Sequence, residues 1–509
     1  MESINKVAVL GTGVMGGQIA AHISNVGINV YAYDMTQEIA EAGVKRSIEI
    51  KPNAFYNKKN AALVQPVNYE TDLALLRDCD WVIEAISENL EWKRDLYNKI
   101  DAYLGKDTIL TSNTSGILLS ELASETSESI SSKLFITHFF NPPRYMRLVE
   151  IITSDKNKES DVKKIVSFIE GSLGKGVVRA NDTPNFIANR IGVYGMMQAI
   201  RLTEDKNLSV EDVDALTGTI IGRPKSATYR TADIVGIDIL ASVASTAYEK
   251  CINDPEREIF KLPGFVSEMI ERGMIGQKSG EGFYKKIDKG VIHSLDFKRL
   301  DYSPLEKTFF SAISLAKEHT SIDKRLRAIV SSSDNAGEFL WELTSRTVLY
   351  ASSMIGEATE SIISIDRAMR WGFGWDMGPF QVWDAIGFEY MYDRILSDGK
   401  DMPEWLRLMH DSGHSSFYSK DGLSCYHPDG NKYVDIDFSS KELSFKRIRS
   451  SKGAIKPHWS ASLIDLGDGV AGIQLHSVLK SDLNPIDGSM LETIDWALDW
   501  VSDNQYKGL

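Results

Sequence analysis

The sequence predicts a doubly wound α/β domain, then two related all-helical domains, then the opening of a further strand-and-helix unit. Three observations predict it: a strand, glycine loop, helix and strand inside the first 34 residues, a change of texture to helices after Asp182, and an internal repeat at an offset of about 150 residues. The 509 residues leave room for three or four domains at about 150 residues each.

Lys6 to Leu10 is a short apolar run of strand type, and Met15, Ile19, Ile23 and Val26 recur at helical spacing. Gly27 stops that helix, and Ile28 to Tyr33 alternates into a second strand ending at Asp34. Further apolar runs, Trp81 to Ala85, Thr108 to Thr111, Leu134 to Phe140 and Leu148 to Ile152, are separated by helical stretches at first and by a short proline loop last. A mostly parallel sheet with an antiparallel end is expected from them. Asp182 or Thr183 is suited to cap a helix that Pro184 opens and that runs, apolar around most of its circumference, to Leu202. The helical region continues to about Tyr284, where Gly280, Gly282 and the charged stretch Lys285 to Lys289 mark a boundary.

The repeat sets Ser209 to Asp214, Gly222-Arg-Pro and Asp233-Ile-Val-Gly236 against Ser364 to Arg367, Gly372 to Pro379 and Asp384-Ala-Ile-Gly387. The expected division is therefore 1–183 for the α/β domain, 184–290 for the first helical copy, 291–329 for a linker, 330–450 for the second copy and 457–509 for the last segment. In that segment Leu463 to Gly467 and Val470 to His476 read as a hairpin about the Asp468-Gly469 turn, with Met490 to Val501 as a helix. One hairpin and one helix bury too little to stand alone, so a domain cut short at Leu509 is expected.

Composition narrows the function. The net charge is −14, which repels nucleic acid and acidic lipid, so small-molecule work is expected, with no nucleic-acid partner. No apolar run reaches the roughly 18 to 20 residues of a membrane span, and no signal segment opens the chain, so a cytoplasmic protein is expected. Cys79, Cys251 and Cys425 lie far apart and suggest neither a disulfide framework nor a cysteine zinc motif. His410 and His414 stand four apart, with Cys425 and His427 beyond, but Gly413 and the serines around them break the helix such a pair requires. No metal is expected.

Gly11-Thr-Gly13-Val-Met15-Gly16 follows a strand and opens a helix, the context that gives this spacing its meaning. Gly11 permits the tight turn, Gly13 lets a pyrophosphate approach the backbone, and Gly16 lets the helix pack on the strand, while the helix N-terminus supplies N–H donors. Asp34, 23 residues after Gly11, is placed to accept the ribose hydroxyls and to repel a 2′-phosphate. A Rossmann-type domain that prefers NAD to NADP is expected.

His138 ends one strand and Glu150 lies in the next, with Asn141-Pro-Pro-Arg144 as the reversal between them. A carboxylate on one imidazole nitrogen fixes the tautomer and leaves the other as a base for an alcohol proton. A structural histidine and an inward carboxylate paired only for packing is an equal reading from spacing alone. Arg46, Lys51, Lys58 and Lys59 form a basic cluster before the Trp81 strand, suited to phosphates of a bound ligand or equally to a solvated face.

Ser112-Asn-Thr-Ser115, His138-Phe-Phe-Asn-Pro, Leu148-Val-Glu150, Asp182-Thr-Pro and Asn189-Arg190 follow the glycine loop in the order and spacing of the L-3-hydroxyacyl-CoA dehydrogenase family, which the chain resembles over about residues 4 to 290. The repeat resembles a second copy of that family's helical C-terminal domain, as in its longer, multifunctional members. The resemblance implies NAD as cofactor and an acyl-CoA substrate, with oxidation of L-3-hydroxyacyl-CoA in fatty acid β-oxidation as the activity. It implies His138 as base, Glu150 as its orienting partner, and Ser115 and Asn189 at the substrate oxygen. Gly11, Gly13, Met15, Gly16 and Asp34, with Glu84, Glu88 and Lys93, fall on its cofactor side, and Lys51, Lys58 and Lys59 are the expected contacts to coenzyme A phosphates. It also implies that the two helical copies pair internally, leaving a monomer.

Two departures stand out: Asn185 where the family usually has Gly, and Gly222-Arg-Pro-Lys-Ser-Ala-Thr in place of a Pro-Met-Gly-Pro-Phe run that the second copy keeps as Met377-Gly-Pro-Phe380. They put chain-length preference in doubt. Ser462 to Ala471 and Asn484-Pro-Ile-Asp resemble the opening of an enoyl-CoA hydratase (crotonase) domain, and no hydratase activity is expected from that piece. Two rivals remain: a dehydrogenase of a free hydroxy acid, and a vestigial NAD-binding scaffold of a multifunctional assembly.

Overall fold

The computed structural model describes residues 4–306, 309–438, 443–478 and 483–509. Its first region is an eight-stranded sheet of order β3-β2-β1-β4-β5-β6-β7-β8. The strands are β1 Lys6–Leu10, β2 Asn29–Asp34, β3 Val64–Asn68, β4 Trp81–Glu84, β5 Ile109–Ser112, β6 Leu134–Phe139, β7 Leu148–Ile152 and β8 Gly176–Arg179. β1 to β6 pair in parallel, β7 is antiparallel to β6, and β8 is parallel to β7. The strand order reverses beside β1, between β2 and β4, so a crevice opens at their carboxyl ends where Gly11 and Glu84 lie.

The helices of this region are α1 Val14–Ser24, α2 Gln37–Glu49, α3 Leu90–Ile100, α4 Leu119–Ala123, α5 Glu128–Lys133 and α6 Glu159–Gly171. Thr36 caps α2 and Asn89 caps α3, each side chain accepting a backbone N–H of the first turn. One continuous core runs from Val7 and Ile19 through Trp81 and Leu110 to Ile151 and Phe168.

The sequence reading missed β3 and β8, the two edge strands. β3 carries Pro66 in its middle and exposes Gln65, which an edge tolerates because one side of it has no ladder to complete. A second difference concerns Asp182. Its carboxylate accepts the Leu119 (2.6 Å) and Ser120 (2.8 Å) amides and so caps α4, while the long helix α7 begins at Ala188 rather than Pro184.

The helical copies contain α7 Ala188–Asp205, α8 Val210–Thr217, α9 Tyr229–Val235, α10 Ile237–Lys250 and α11 Gly264–Glu271. The described part of the stretch expected as a linker is folded: β10 Val291–Asp296 and β11 Asp301–Pro304 join β9 Tyr284–Asp288, at the end of the first copy, in an antiparallel sheet, followed by α12 Ser311–Lys317 and α13 Ile322–Val330. Leu326, Ile329 and Val330 of α13 are buried, a helical stripe that the surrounding charges obscure in the sequence. The second copy is α14 Asn335–Ser353, α15 Ile362–Gly372, α16 Pro379–Ile386, α17 Phe388–Ser397 and α18 Glu404–Asp411. The two copies pack together through α7 and α14, where Tyr194 and Tyr350 stack at 3.9 Å.

Residues 418–426 and 432–509 form a separate unit. The expected hairpin is there, Ala461–Gly467 against Val470–Leu475 about Asp468 and Gly469, both with positive φ. A helix from Gly488 to Asp503 lays Ala497, Trp496 and Trp500 against Leu463 and Ala471. Among the described residues no helix is long and apolar enough to cross a membrane.

Candidate active site

β1 ends in the glycine loop. Gly11 has φ +97, and a Cβ there would sit 2.8 Å from the Ala85 carbonyl oxygen at the end of β4. A Cβ at Gly16 would collide with the Gly11 carbonyl, so α1 packs on the loop only because position 16 is glycine. Gly13 faces open space, as a backbone must if a pyrophosphate is to approach it. Asp34 stands beside the loop at the tip of β2, its Oδ2 accepting from Thr12 N (2.8 Å) and Thr12 Oγ1 (2.6 Å) and its Oδ1 from Met35 N (2.8 Å). This donor-lined crevice with a carboxylate at its rim fits a dinucleotide with free ribose hydroxyls.

Glu84 and Lys93 lie below that crevice at 0% and 1% exposure, 2.6 Å apart. Glu84 also accepts from Ser112 Oγ (2.6 Å), Tyr97 OH (2.7 Å) and Ile86 N (2.8 Å), so neither member of the pair is presented at the surface. Glu88 reaches further. Its Oε1 accepts from Thr114 Oγ1 (2.5 Å), Ser115 N (2.9 Å) and Gly116 N (3.0 Å). Burial pushes the Glu88 carboxyl up, but Lys93 and these donors outweigh it and hold its pKa below the ordinary value. Glu84, Glu88 and Lys93 therefore fix the loop that carries Ser115.

At the other end of the crevice β6 and β7 set His138 directly opposite Glu150 in their antiparallel register. His138 Nδ1 lies 2.8 Å from Glu150 Oε2, with His138 at 3% exposure and Glu150 at 0%. Glu150 Oε1 accepts from Ile187 N (3.2 Å) and Ala188 N (2.8 Å), donors at the start of α7. The first turn of that helix thus grips the carboxylate that grips the imidazole. Phe140 and Phe186 flank the His138 ring at 4.5 and 5.6 Å between centroids. With Nδ1 engaged by a carboxylate, Nε2 is the nitrogen left for a proton.

Asn189, in the same first turn, and Ser115, on the Glu88-bound loop, are half-buried, and among the described residues neither side chain has a hydrogen-bond partner. The two loops meet: a Cβ at Gly116 would lie 3.3 Å from Asn185 Oδ1. Asn185 itself has φ +63, which explains its stand-in for glycine, since asparagine tolerates the left-handed region best among the other residues. Its Nδ2 donates to the Val243 carbonyl at 2.9 Å.

Lys51, Lys58 and Lys59 are exposed, and among the described residues none is in an ion pair. The structure links their loop to the site: Arg144, in the reversal between His138 and Glu150, donates to the Asn53 (2.8 Å) and Phe55 (2.9 Å) carbonyls and stacks on Tyr56. Sequence reasoning missed Asn113, whose Oδ1 accepts from Phe139 N (2.9 Å), and the buried group around Arg190; only contacts between distant segments reveal either. His410 stacks on Tyr392 at 4.0 Å, and no metal-holding cluster occurs among the described residues.

Comparison with known proteins places both regions of the chain in one family. The profile of the 3-hydroxyacyl-CoA dehydrogenase NAD binding domain matches residues 6–183, and that of the 3-hydroxyacyl-CoA dehydrogenase C-terminal domain matches 186–286 and again 342–422. A probable 3-hydroxyacyl-CoA dehydrogenase of Bacillus subtilis is 40% identical over 99% of this chain, which spans 66% of that relative's length, just under two thirds. A shorter probable 3-hydroxyacyl-CoA dehydrogenase of Deinococcus radiodurans is 44% identical over 56% of this chain and 83% of its own. The solved 3-hydroxybutyryl-CoA dehydrogenase of Escherichia coli shares the fold over 81% of this chain and 100% of its own, with a TM-score of 0.62 at 22% identity.

Proposed function

The chain belongs to the 3-hydroxyacyl-CoA dehydrogenase family, and on that premise we propose that it oxidises L-3-hydroxyacyl-CoA to 3-oxoacyl-CoA in fatty acid β-oxidation. The observation that carries the reading is the buried His138–Glu150 pair, 2.8 Å apart, at the same end of the sheet as the glycine loop. Bound NAD supplies the hydride acceptor. His138 Nε2 takes the C3 hydroxyl proton as the C3–H electron pair leaves, and Glu150 stabilises the imidazolium that results. Ser115 and Asn189, whose side chains have no hydrogen-bond partner among the described residues, hold the substrate oxygen; Asp34 holds the adenosine ribose. In this reading Glu84, Glu88 and Lys93 act on the cofactor side by fixing the Ser115 loop, and Lys51, Lys58 and Lys59 meet coenzyme A phosphates.

The remaining parts of the reading rest on fewer observations. Residues 1–183 form the NAD domain and the two copies pair internally as a monomer, supported by the Tyr194–Tyr350 stack. The last segment is the opening of a crotonase-type domain, supported by its hairpin and helix. A cytoplasmic setting is consistent with three buried free cysteines. The test is acetoacetyl-CoA-dependent oxidation of NADH, run beside NADPH and beside free acetoacetate. Activity with NADH and the thioester is expected; equal activity on acetoacetate favours the free-acid rival, and none on either favours the scaffold.

A further inference from the structure

We propose that the second helical copy supplies two positioning residues for this reaction, Tyr350 and Glu357, which act through Arg190 on the first turn of α7. The inference rests on the dehydrogenase reading above and adds a role for the copy that carries none of the reacting groups.

Three consecutive residues of that turn serve the site: Ile187 and Ala188 donate to Glu150, and Asn189 is the proposed ligand of the substrate oxygen. The backbone that delivers them is unfavourable by itself. Asn185 and Phe186 have φ +63 and +51, two successive left-handed residues of which neither is glycine. Such a conformation persists only where its surroundings over-determine it.

The second copy fastens the turn on both sides. Before it, Asn181 N donates to the Ala358 carbonyl (2.8 Å) and Asn181 Nδ2 to the Glu357 carbonyl (2.9 Å). After it, Arg190, with a side chain at 0% exposure, donates from Nε to Tyr350 OH (2.5 Å) and from Nη2 to Asp254 Oδ2 (2.6 Å) and Glu357 Oε1 (3.0 Å). Tyr350 in turn donates to Asp254 Oδ2 at 2.6 Å. Burial alone would lower the Arg190 pKa, but Tyr350, Glu357 and the bond to Asp254 outweigh it and raise it, so the cation is permanent. Burial pushes the Tyr350 hydroxyl well up, which keeps it a neutral group able to accept from Arg190 while donating to Asp254. Phenylalanine at 350 keeps the ring on Tyr194 and loses both bonds.

Arg190 is the residue after Asn189, so a guanidinium that shifts carries the substrate ligand and the Glu150 donors with it. Small displacements of this kind are costly to turnover and cost the distant cofactor crevice nothing.

The test uses the full chain with Tyr350→Phe, Glu357→Gln and the double substitution. NADH affinity and thermal midpoint are measured beside acetoacetyl-CoA reduction, and amide exchange is followed at Ile187 and Ala188. In the double variant kcat is expected to fall roughly tenfold to a hundredfold with NADH affinity unchanged. Both amides are expected to exchange faster. Wild-type kcat in the folded double variant, or unchanged protection of the two amides, overturns the proposal. If the double variant does not fold, Glu357→Gln alone decides it by the same readouts, since that side chain is 43% exposed. A wild-type protein inactive on acyl-CoA defeats the dehydrogenase reading, while amide exchange still decides whether the second copy holds the turn.

Discussion

The two helical copies keep the same internal fixings and differ in what their first helix meets. In the first, Asp214 accepts from the amides 14 and 15 residues ahead, Thr228 (3.0 Å) and Tyr229 (2.7 Å). In the second, Asp366 does the same over the same 14 and 15 residues to Phe380 (2.9 Å) and Gln381 (3.1 Å). Asp233 receives Phe283 N and Asp384 receives Phe417 N, and Gly236 and Gly387 end α9 and α16 at φ +106 and +115. Yet α7 opens onto Glu150, whereas α14 opens onto a cap, Asp334, that also holds Ser311 and Ala312 of the preceding α12. Backbone requirements have kept the copies alike, and the catalytic difference lies in which surface one helix end faces.

The comparison breaks most visibly at the group that the first copy alone serves. His138→Gln is expected to lower turnover by about 10² to 10⁴, the range for losing a general base, with NADH affinity unchanged. Stopped-flow reduction of acetoacetyl-CoA beside NADH titration measures both. A parallel loss of NADH binding would make His138 a structural residue and the first copy no different from the second.

Next in size is the buried pair within the first copy that also receives Tyr350 of the second. Arg190 and Asp254 both have fully buried side chains, so Asp254→Ala leaves a cation without its closest carboxylate, and a loss of about 3 to 5 kcal/mol in urea unfolding is expected. A loss below about 1 kcal/mol, the worth of an exposed pair, would mean that the first copy does not need the pair on which Tyr350 of the second copy is anchored.

How much of this was legible depends on whether a signal is local. The glycine loop, Asp34 and the His138 and Glu150 strands carry their meaning in spacing, because a parallel strand followed by a helix has one way to present its loop and adjacent antiparallel strands have one register. Phe139 ends β6 and Leu148 begins β7, each within a residue of expectation. The edges were not legible: β8 is four residues long, and the middle of β3 is a proline. The start of α7 was misplaced because Asp182 is an acceptor for α4, a partner 62 residues back that no local rule identifies. Arg190 was visible as a motif residue, but its ties to Tyr350 and Glu357, 160 and 167 residues on, exist only in the folded chain.

A third prediction sharpens the comparison through pH. Burial raises the Asp214 carboxyl to about 6, against which its backbone donors and Tyr284 OH pull downward without prevailing. A carboxyl whose folded pKa lies above its unfolded value of 3.8 stabilises the fold fully below that value, and the contribution is lost as pH rises through about 6. Asp214→Asn cannot titrate, so the stability of the variant is expected to fall less than that of the wild type between pH 4 and 6. Asp233, raised to about 6 by the same cause, still contributes in both proteins, so the slope is reduced rather than abolished. Identical slopes would mean that Asp214 stays ionised throughout.

The smallest effect expected separates two glycines that occupy equivalent places. Gly236 and Gly387 hold φ +106 with ψ 124 and φ +115 with ψ 124, a region closed to residues with a side chain, so alanine at either costs about 1 to 3 kcal/mol in backbone strain. Their surroundings differ. A Cβ at Gly387 has Arg327 Nη2 as its nearest neighbour, at 3.9 Å, which is ordinary contact. A Cβ at Gly236 lies 2.8 Å from Asp238 Oδ1 and 3.0 Å from Lys278 Nζ, atoms already joined as an ion pair at 2.6 Å. Alanine at 236 must therefore spread that pair as well as strain the backbone. The pair is partly exposed, so the added cost is at most about 1 kcal/mol. Urea unfolding of Gly236→Ala and Gly387→Ala side by side is expected to rank the first as the less stable. The reverse order would show that the second copy, though it touches no reacting group, is the more tightly determined of the two.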